Sequence, residues 1–210
     1  MNRFCWMAMS LVVFLGIPSS GESCTTFVLR DGDALLCGKN LDWFWGDGII
    51  VVNPRGVSKT AFVTPPHNPA RWTSRYGSVT FNQFGRELPF GGMNEVGLVV
   101  EQMMLYDTRY ANPEDNRAAI SILQWIQYQL DNCRTVAEVI ATDSRIRITP
   151  LQPRQKIHYL VCDSTGDVAT LEVLEGRMVC HRGESLPARV LTNDTYSDSI
   201  RFLNSHQGFG

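Results

Sequence analysis

The chain has 210 residues, with 19 lysines and arginines against 21 aspartates and glutamates, so its formal net charge is −2. Neither this balance nor any run of like charges indicates a nucleic-acid partner, because phosphate backbones are bound by concentrated basic surfaces. The length suits one globular domain with a sizeable core, preceded by a short leader.

The first 23 residues have the layout of a secretory signal peptide. Arg3 supplies a basic start, an uncharged apolar stretch follows at residues 5–17, and the small residues Gly21 and Ser23 permit cleavage before Cys24. The apolar stretch is shorter than the roughly 18–20 residues that span a bilayer, and no later stretch is long enough. We therefore expect a signal peptide over residues 1–23, no membrane span, and a secreted or periplasmic domain over residues 24–210.

The domain opens with a predicted β-hairpin, in which apolar runs at residues 25–30 and 34–37 flank the turn Asp31-Gly32-Asp33. A third strand is expected at residues 48–53. The prolines within residues 65–69 predict a loop. Two further strands are expected at residues 78–84 and 97–101, with a glycine-rich turn at residues 91–95 between them.

The clearest helix is predicted over residues 116–130, where apolar residues recur on one face and Asn116 or Asp115 can cap the start. A shorter helix is expected at residues 136–142, after Thr135. Residues 158–162, 168–174 and 178–180 then predict a three-strand meander, followed by a strand at 189–191 and a helix beginning at 197–203. This order suits an α+β core of packed sheets flanked by helices better than alternating βαβ units.

Five cysteines follow the leader, with no CxxC pair and no metal-type spacing. Export permits disulfides, so Cys162 and Cys180 can pair if their strands are neighbours; the alternative is a set of buried free thiols. The four histidines are scattered along the chain. We therefore expect no metal and no other cofactor.

Cys24 gives the most direct indication of chemistry. If processing occurs just before it, one residue carries both a thiol and a free α-amine, whose pKa of roughly 7.7–8.0 suits it to take the thiol proton. The hairpin returns Lys39 and Asp42 to the neighbourhood of Cys24. A cation there favours the thiolate, and a carboxylate can hold the amine. A cysteine after a leader can instead be the lipid-attachment residue of a lipoprotein.

Four blocks occur in an order that resembles the choloylglycine hydrolase family of linear amide C–N hydrolases: Cys24-Thr25-Thr26, Gly38-Lys39-Asn40-Leu41-Asp42, Gly92-Met93-Asn94-Glu95-Val96-Gly97-Leu98 and Leu191-Thr192-Asn193. The family contains conjugated bile salt hydrolases and penicillin V acylases and belongs to the N-terminal nucleophile hydrolases. The resemblance implies a four-layer αββα sandwich with the nucleophile at the tip of a central strand. Family members are longer, so this sandwich is expected to be incomplete at its C-terminus.

By that resemblance Cys24 is the nucleophile, its α-amine is the general base, and Asp42 orients the amine. The side chain of Asn193 and the backbone N–H of Met104 would bind the oxyanion. Lys39 stands where the family commonly has arginine, and Met104 stands where asparagine or tyrosine is often found. From the residues alone, Asn193 could equally form an Asx turn that caps the helix after it.

The expected reaction is hydrolysis of a small N-acyl amide through a Cys24 thioester. An apolar acyl group is indicated if the aromatic and methionine cluster near the motifs lines a pocket rather than the core (Trp43, Phe44, Trp45, Met103, Met104 and Leu105). Conjugated bile acids, phenoxyacetyl penicillins, N-acyl homoserine lactones and other N-acyl amines remain open as substrates, and a homo-oligomer remains open as the assembly. The alternatives are a secreted, non-catalytic binding protein on the same scaffold and a lipid-anchored envelope protein attached through Cys24.

Overall fold

The computed structural model describes residues 24–43, 45–112, 114–152 and 155–208. The predicted signal peptide and Phe44 lie outside these residues. No helix in the described ranges is long and apolar enough to cross a membrane.

In chain order the strands are β1 (Thr25–Asp31), β2 (Ala34–Asn40), β3 (Ile49–Asn53), β4 (Ser58–Thr60), β5 (Arg71–Thr73), β6 (Ser78–Asn82), β7 (Pro89–Asn94), β8 (Val99–Met104), β9 (Ala118–Ser121), β10 (Ile146–Thr149), β11 (Ile157–Cys162), β12 (Val168–Leu174), β13 (Arg177–Arg182) and β14 (Val190–Leu191). The α-helices are α1 (Ile122–Asn132), α2 (Val136–Ala141) and α3 (Tyr196–Ser205).

Two sheets form the centre of the fold. A seven-stranded antiparallel sheet has the order β13-β12-β11-β8-β7-β6-β3, and we call it the large sheet. A three-stranded sheet of order β14-β1-β2 contains the hairpin, and we call it the small sheet. Strands β9 and β10 pair in parallel, and β4 pairs with β5.

The large sheet lies between α1 and the small sheet, and its central strands serve a core on each side. In β8, Val100 belongs to the core that contains the α1 side chains, whereas Val99 and Met103 belong to the core shared with Val28 of β1. This alternation follows from the two-residue side-chain period of a strand. The layers are therefore helix, sheet and sheet, and Tyr196 of α3 packs into the second core.

Most of the predicted elements are confirmed. The hairpin forms with full pairing from Thr25↔Asn40 to Asp31↔Ala34. The meander is present as β11, β12 and β13, and β3, α2, β14 and α3 all lie within two residues of their predicted positions.

Two predictions about local structure are wrong. The first helix begins at Ile122 rather than at residue 116, because residues 118–121 pair in parallel with β10, and Ser121 rather than Asn116 or Asp115 is the N-cap. The apolar pattern of the strand runs directly into that of the helix, so periodicity alone does not separate them.

The second error concerns the glycine-rich turn. Gly91 and Gly92 lie inside β7, and the turn follows at residues 95–97. A Cβ atom at Gly91 would overlap the carboxylate of Glu101, and one at Gly92 would overlap the backbone of β6. These glycines therefore permit close approach within the sheet rather than a change of chain direction.

Both alternatives for the cysteines, a Cys162–Cys180 bond or free thiols throughout, are corrected by the structure. Cys162 of β11 is bonded to Cys37 of β2, not to Cys180, so the covalent link joins the large sheet to the small one. Cys24, Cys133 and Cys180 are free cysteines.

Candidate active site

Cys24 lies at the wall of a pocket of 580 Å³. Most of the lining is apolar, including Leu41, Trp43, Trp45, Phe84, Phe90 and Ile122. The polar lining residues are Gln102, Gln152, Gln155 and Lys156. Trp43, Trp45 and Met104 of the predicted aromatic and methionine cluster line this pocket, whereas Met103 is buried in the second core.

The hairpin brings Cys24 and Asp42 together. Because Thr25 pairs with Asn40, the residue before β1 lies beside the residues that follow β2. The Cys24 thiol donates a hydrogen bond to the backbone carbonyl of Asp42 over 3.6 Å. Cys24 is only 4% exposed, so its thiol is reached through the pocket rather than from open surface.

Lys39 makes its contacts with two neighbouring strands of the large sheet. Its Nζ lies 3.1 Å from Glu101 Oε2 of β8 and donates a 2.6 Å hydrogen bond to the carbonyl of Phe90 in β7. Burial raises the pKa of Glu101, and the nearby Lys39 ammonium opposes that rise. Since Phe90 is also part of the pocket wall, Lys39 links the hairpin to that wall.

Glu101 was missed from the sequence, although two features pointed to it. It is a charged residue inside the apolar run Val99-Val100-Glu101, and Gly91 stands opposite it in the pairing of β7 with β8. A buried carboxylate requires a partner, and a glycine in a strand makes room for a neighbour.

Asn193 lies at the edge of β8, where its Nδ2 donates a 2.9 Å hydrogen bond to the carbonyl of Met104. The N-cap of α3 is Thr195, whose hydroxyl accepts from the Asp198 N–H. The alternative interpretation of Asn193 as the cap of that helix is therefore wrong.

The backbone N–H of Met104 points to the same edge of β8. The next residue, Leu105, donates to Lys156 O over 3.0 Å, which places its hydrogen-bonding groups toward β11. Backbone groups alternate between the two edges of an antiparallel strand, so the N–H and C=O of Met104 point away from β11. The C=O accepts from Asn193, and the N–H emerges beside it.

The pocket is thus lined by both Cys24 and Met104. The Asp42 carbonyl is bonded to Cys24, Asn193 is bonded to Met104, and Lys39 lies behind the wall at Phe90. The described residues contain no group of three or more histidine, cysteine or acidic side chains arranged to hold a metal ion. The arrangement offers a nucleophilic thiol, two adjacent N–H donors and an apolar cavity.

Comparison with known proteins gives a consistent assignment. The sequence pattern that defines the family of linear amide C–N hydrolases, choloylglycine hydrolase family, matches residues 24–210 of this chain. The penicillin V acylase of Pectobacterium atrosepticum is 28% identical in an alignment of 216 positions, and this alignment covers 95% of this chain and 56% of that protein. The solved penicillin V acylase from Agrobacterium tumefaciens is 29% identical, with a TM-score of 0.75 over 87% of this chain and 56% of its own.

A mutant conjugated bile acid hydrolase from Clostridium perfringens has the same fold, with a TM-score of 0.72 at 20% identity over 89% of this chain and 58% of its own. The chain therefore spans little more than half the length of these relatives. Together with the helix–sheet–sheet layering, the solved structures confirm the predicted α+β sandwich of the N-terminal nucleophile hydrolase type. The chain belongs to the choloylglycine hydrolase family of linear amide C–N hydrolases.

Proposed function

We propose that this protein hydrolyses the linear amide bond of a small N-acyl substrate, with Cys24 as an N-terminal nucleophile. The position of the Cys24 thiol at the wall of the apolar pocket carries the proposal. The family match begins at this same residue, which supports Cys24 as the first residue of the mature domain.

Removal of residues 1–23 is a chemical requirement of this mechanism. While Ser23 is attached, the nitrogen of Cys24 is a peptide amide and cannot accept a proton. Cleavage converts it into an amine whose pKa of roughly 7.7–8.0 suits general-base catalysis near neutral pH. We therefore also propose export, with the leader acting as the signal peptide and the domain secreted or periplasmic.

In the proposed reaction the α-amine takes the thiol proton, and the Cys24 sulfur attacks the amide carbonyl carbon. The tetrahedral intermediate then expels the substrate nitrogen, which receives that proton and leaves as an amine. Water, deprotonated by the same α-amine, then attacks the carbonyl carbon of the thioester. The C–S bond breaks, the carboxylic acid is released, and the Cys24 sulfur takes the proton back from the amine. The contact of the Cys24 thiol with the backbone carbonyl of Asp42 places the two residues side by side, which supports the predicted role of the Asp42 carboxylate in holding the amine.

We assign the binding of the oxyanion to the backbone N–H of Met104 and the side-chain amide of Asn193. The backbone N–H of one and the side-chain amide of the other lie at the same edge of β8, and Asn193 Nδ2 keeps a second hydrogen after bonding to Met104 O. Such donors stabilise charge that appears only in the transition state, by roughly 3–4 kcal/mol each.

The pocket favours an apolar, flat acyl group. Trp43, Trp45, Phe84 and Phe90 supply aromatic walls, and among the lining residues that the structure describes Lys156 is the one charged side chain. A phenoxyacetyl group with an anionic leaving half fits this lining, and two relatives are penicillin V acylases. Penicillin V is therefore the first substrate to test.

The test combines hydrolysis with thiol labelling of the exported protein. Burial raises the pKa of Cys133 to about 12 and raises that of Cys180, while Cys37 and Cys162 are joined in a disulfide. Brief alkylation near pH 7.5 should therefore add one label, at Cys24. Cys24→Ala should abolish both the label and the release of acid from penicillin V, and Cys133→Ala should retain both.

Continued hydrolysis by Cys24→Ala would overturn the mechanism. An intact mass that begins upstream of Cys24, with no hydrolysis of any amide, would favour the non-catalytic binding scaffold instead. A lipid adduct on Cys24 would favour the anchored envelope protein.

A further inference from the structure

A buried histidine–glutamate pair lies behind Asn193. His158 in β11 and Glu172 in β12 are both fully buried, and His158 Nδ1 lies 3.0 Å from Glu172 Oε1. Both side chains point toward the small sheet, because Leu160 and Val168, at even spacing along the same strands, belong to the core on that side. The reaction steps above do not use this pair.

The pair is bonded to the chain on both sides of Asn193. His158 Nε2 lies 2.8 Å from the carbonyl of Thr192, and the backbone N–H of Tyr196 donates to Glu172 Oε1 over 2.9 Å. The strand that precedes Asn193 has only two residues. The two contacts therefore fix the distance between the Asn193 backbone and the large sheet.

The hydrogen-bond partners of His158 determine which of its ring nitrogens acts as a donor. The Thr192 carbonyl only accepts, so His158 Nε2 carries a hydrogen and donates it. The other ring nitrogen, Nδ1, shares a 3.0 Å hydrogen bond with Glu172 Oε1, and such a contact is strong in a buried place where water does not compete. A rigid donor of this kind suits a backbone segment that must not move during turnover.

We propose that His158 and Glu172 are positioning residues that hold the Asn193 side chain at the edge of β8, where the Met104 N–H emerges. The proposal rests on the proposed function, because Asn193 serves as an oxyanion donor only if Cys24 attacks an amide. It adds a buried pair from the middle of the large sheet to the machinery of the site.

Two substitutions of similar polarity separate positioning from simple structural support. His158→Gln places an amide donor near the position of Nε2 and keeps the hydrogen bond to Thr192. His158→Asn is shorter and keeps a polar group only near Nδ1. With penicillin V as the probe, His158→Gln should stay within about threefold of the original kcat. His158→Asn should lose about 10–100-fold in kcat with KM within twofold, since small misplacements of a transition-state contact have effects of this size.

Gln129→Leu is the matched control for a lost buried hydrogen bond. Gln129 lies on α1, is fully buried, and donates to the Thr142 hydroxyl over 3.0 Å, remote from Asn193. It should lower stability toward urea without changing kcat. If His158→Asn retains full kcat, or if His158→Gln loses as much as His158→Asn, the positioning role is overturned.

A second readout keeps this inference separate from the proposed function. The side-chain amide resonances of Asn193 can be assigned by their loss in Asn193→Ala and followed by proton–nitrogen NMR. They should shift in His158→Asn and stay in place in His158→Gln and Gln129→Leu. If the unaltered protein hydrolyses no amide, the proposed function fails, but the shift still supports positioning and its absence overturns it.

Discussion

Gly91→Ala tests whether the ion pair between Lys39 and Glu101 supports the pocket. A Cβ atom at Gly91 would lie 2.7 Å from Glu101 Oε1 and closer still to Oε2, well inside van der Waals contact. Gly91 is not among the residues with a positive φ, so its backbone conformation accepts alanine without strain. The whole effect must therefore come from displacing the carboxylate.

The size of the effect follows from what the carboxylate is bonded to. Over-packing a core by one methyl group costs about 1–3 kcal/mol, and separating a buried ion pair costs about 3–5 kcal/mol. The side chains of Lys39 and Glu101 are 14% and 10% exposed, so the displaced groups regain some solvent. We expect Gly91→Ala to lower the free energy of unfolding by about 2–4 kcal/mol.

The measurement is urea unfolding in two backgrounds. In Glu101→Ala the overlapping atoms are absent, so adding Gly91→Ala should cost less than about 1 kcal/mol there. Gly46→Ala is the matched control, because a Cβ at Gly46 meets open space. In the active protein Gly91→Ala should also raise KM for an apolar substrate, since Phe90 loses the support of Lys39. Equal costs of Gly91→Ala in both backgrounds would refute the reasoning.

Two further predictions concern Asn193, the proposed oxyanion donor, and an ion pair in the core. Asn193→Ala should lower kcat by about 10²–10³ with little change in KM, while Asn204→Ala, on the exposed part of α3, should change neither; a change in KM alone contradicts the oxyanion role. Lys59 Nζ lies 3.0 Å from Asp131 Oδ2, which also accepts a 2.6 Å hydrogen bond from Trp72, and all three are buried. Lys59→Met alone should cost about 3–5 kcal/mol in urea unfolding, whereas combining it with Asp131→Asn should recover most of that; additive losses would argue against the pair.

Much of the fold was predictable where local signals agree. The hairpin has its turn residues at Asp31-Gly32-Asp33, and the meander has strand-forming runs separated by turns. The start of α1 was not predictable, because the residues before Ser121 become a strand only through parallel pairing with β10, a partner over twenty residues away. Such pairing depends on tertiary context that propensity does not contain.

The candidate site divides in the same way. Cys24 and Asp42 are joined by a hairpin whose register the sequence determines, and their closeness was predicted. The partner of Lys39 was not, because Glu101 meets it across two sheets whose packing is set by the whole core. The same holds for His158. It is one of four scattered histidines, and nothing in the sequence connects it with Asn193.

Strand β8 places Val99, Glu101 and Met103 toward one core and turns the backbone of Met104 away from β11. Both properties repeat every two residues. Inserting or deleting one residue between Gly97 and Met104 would therefore exchange the two faces and turn the backbone N–H of Met104, the proposed oxyanion donor, toward β11. A change of two residues would preserve both. Length variation in this segment should be tolerated in even steps, so the number of residues here is constrained even where their identity is free.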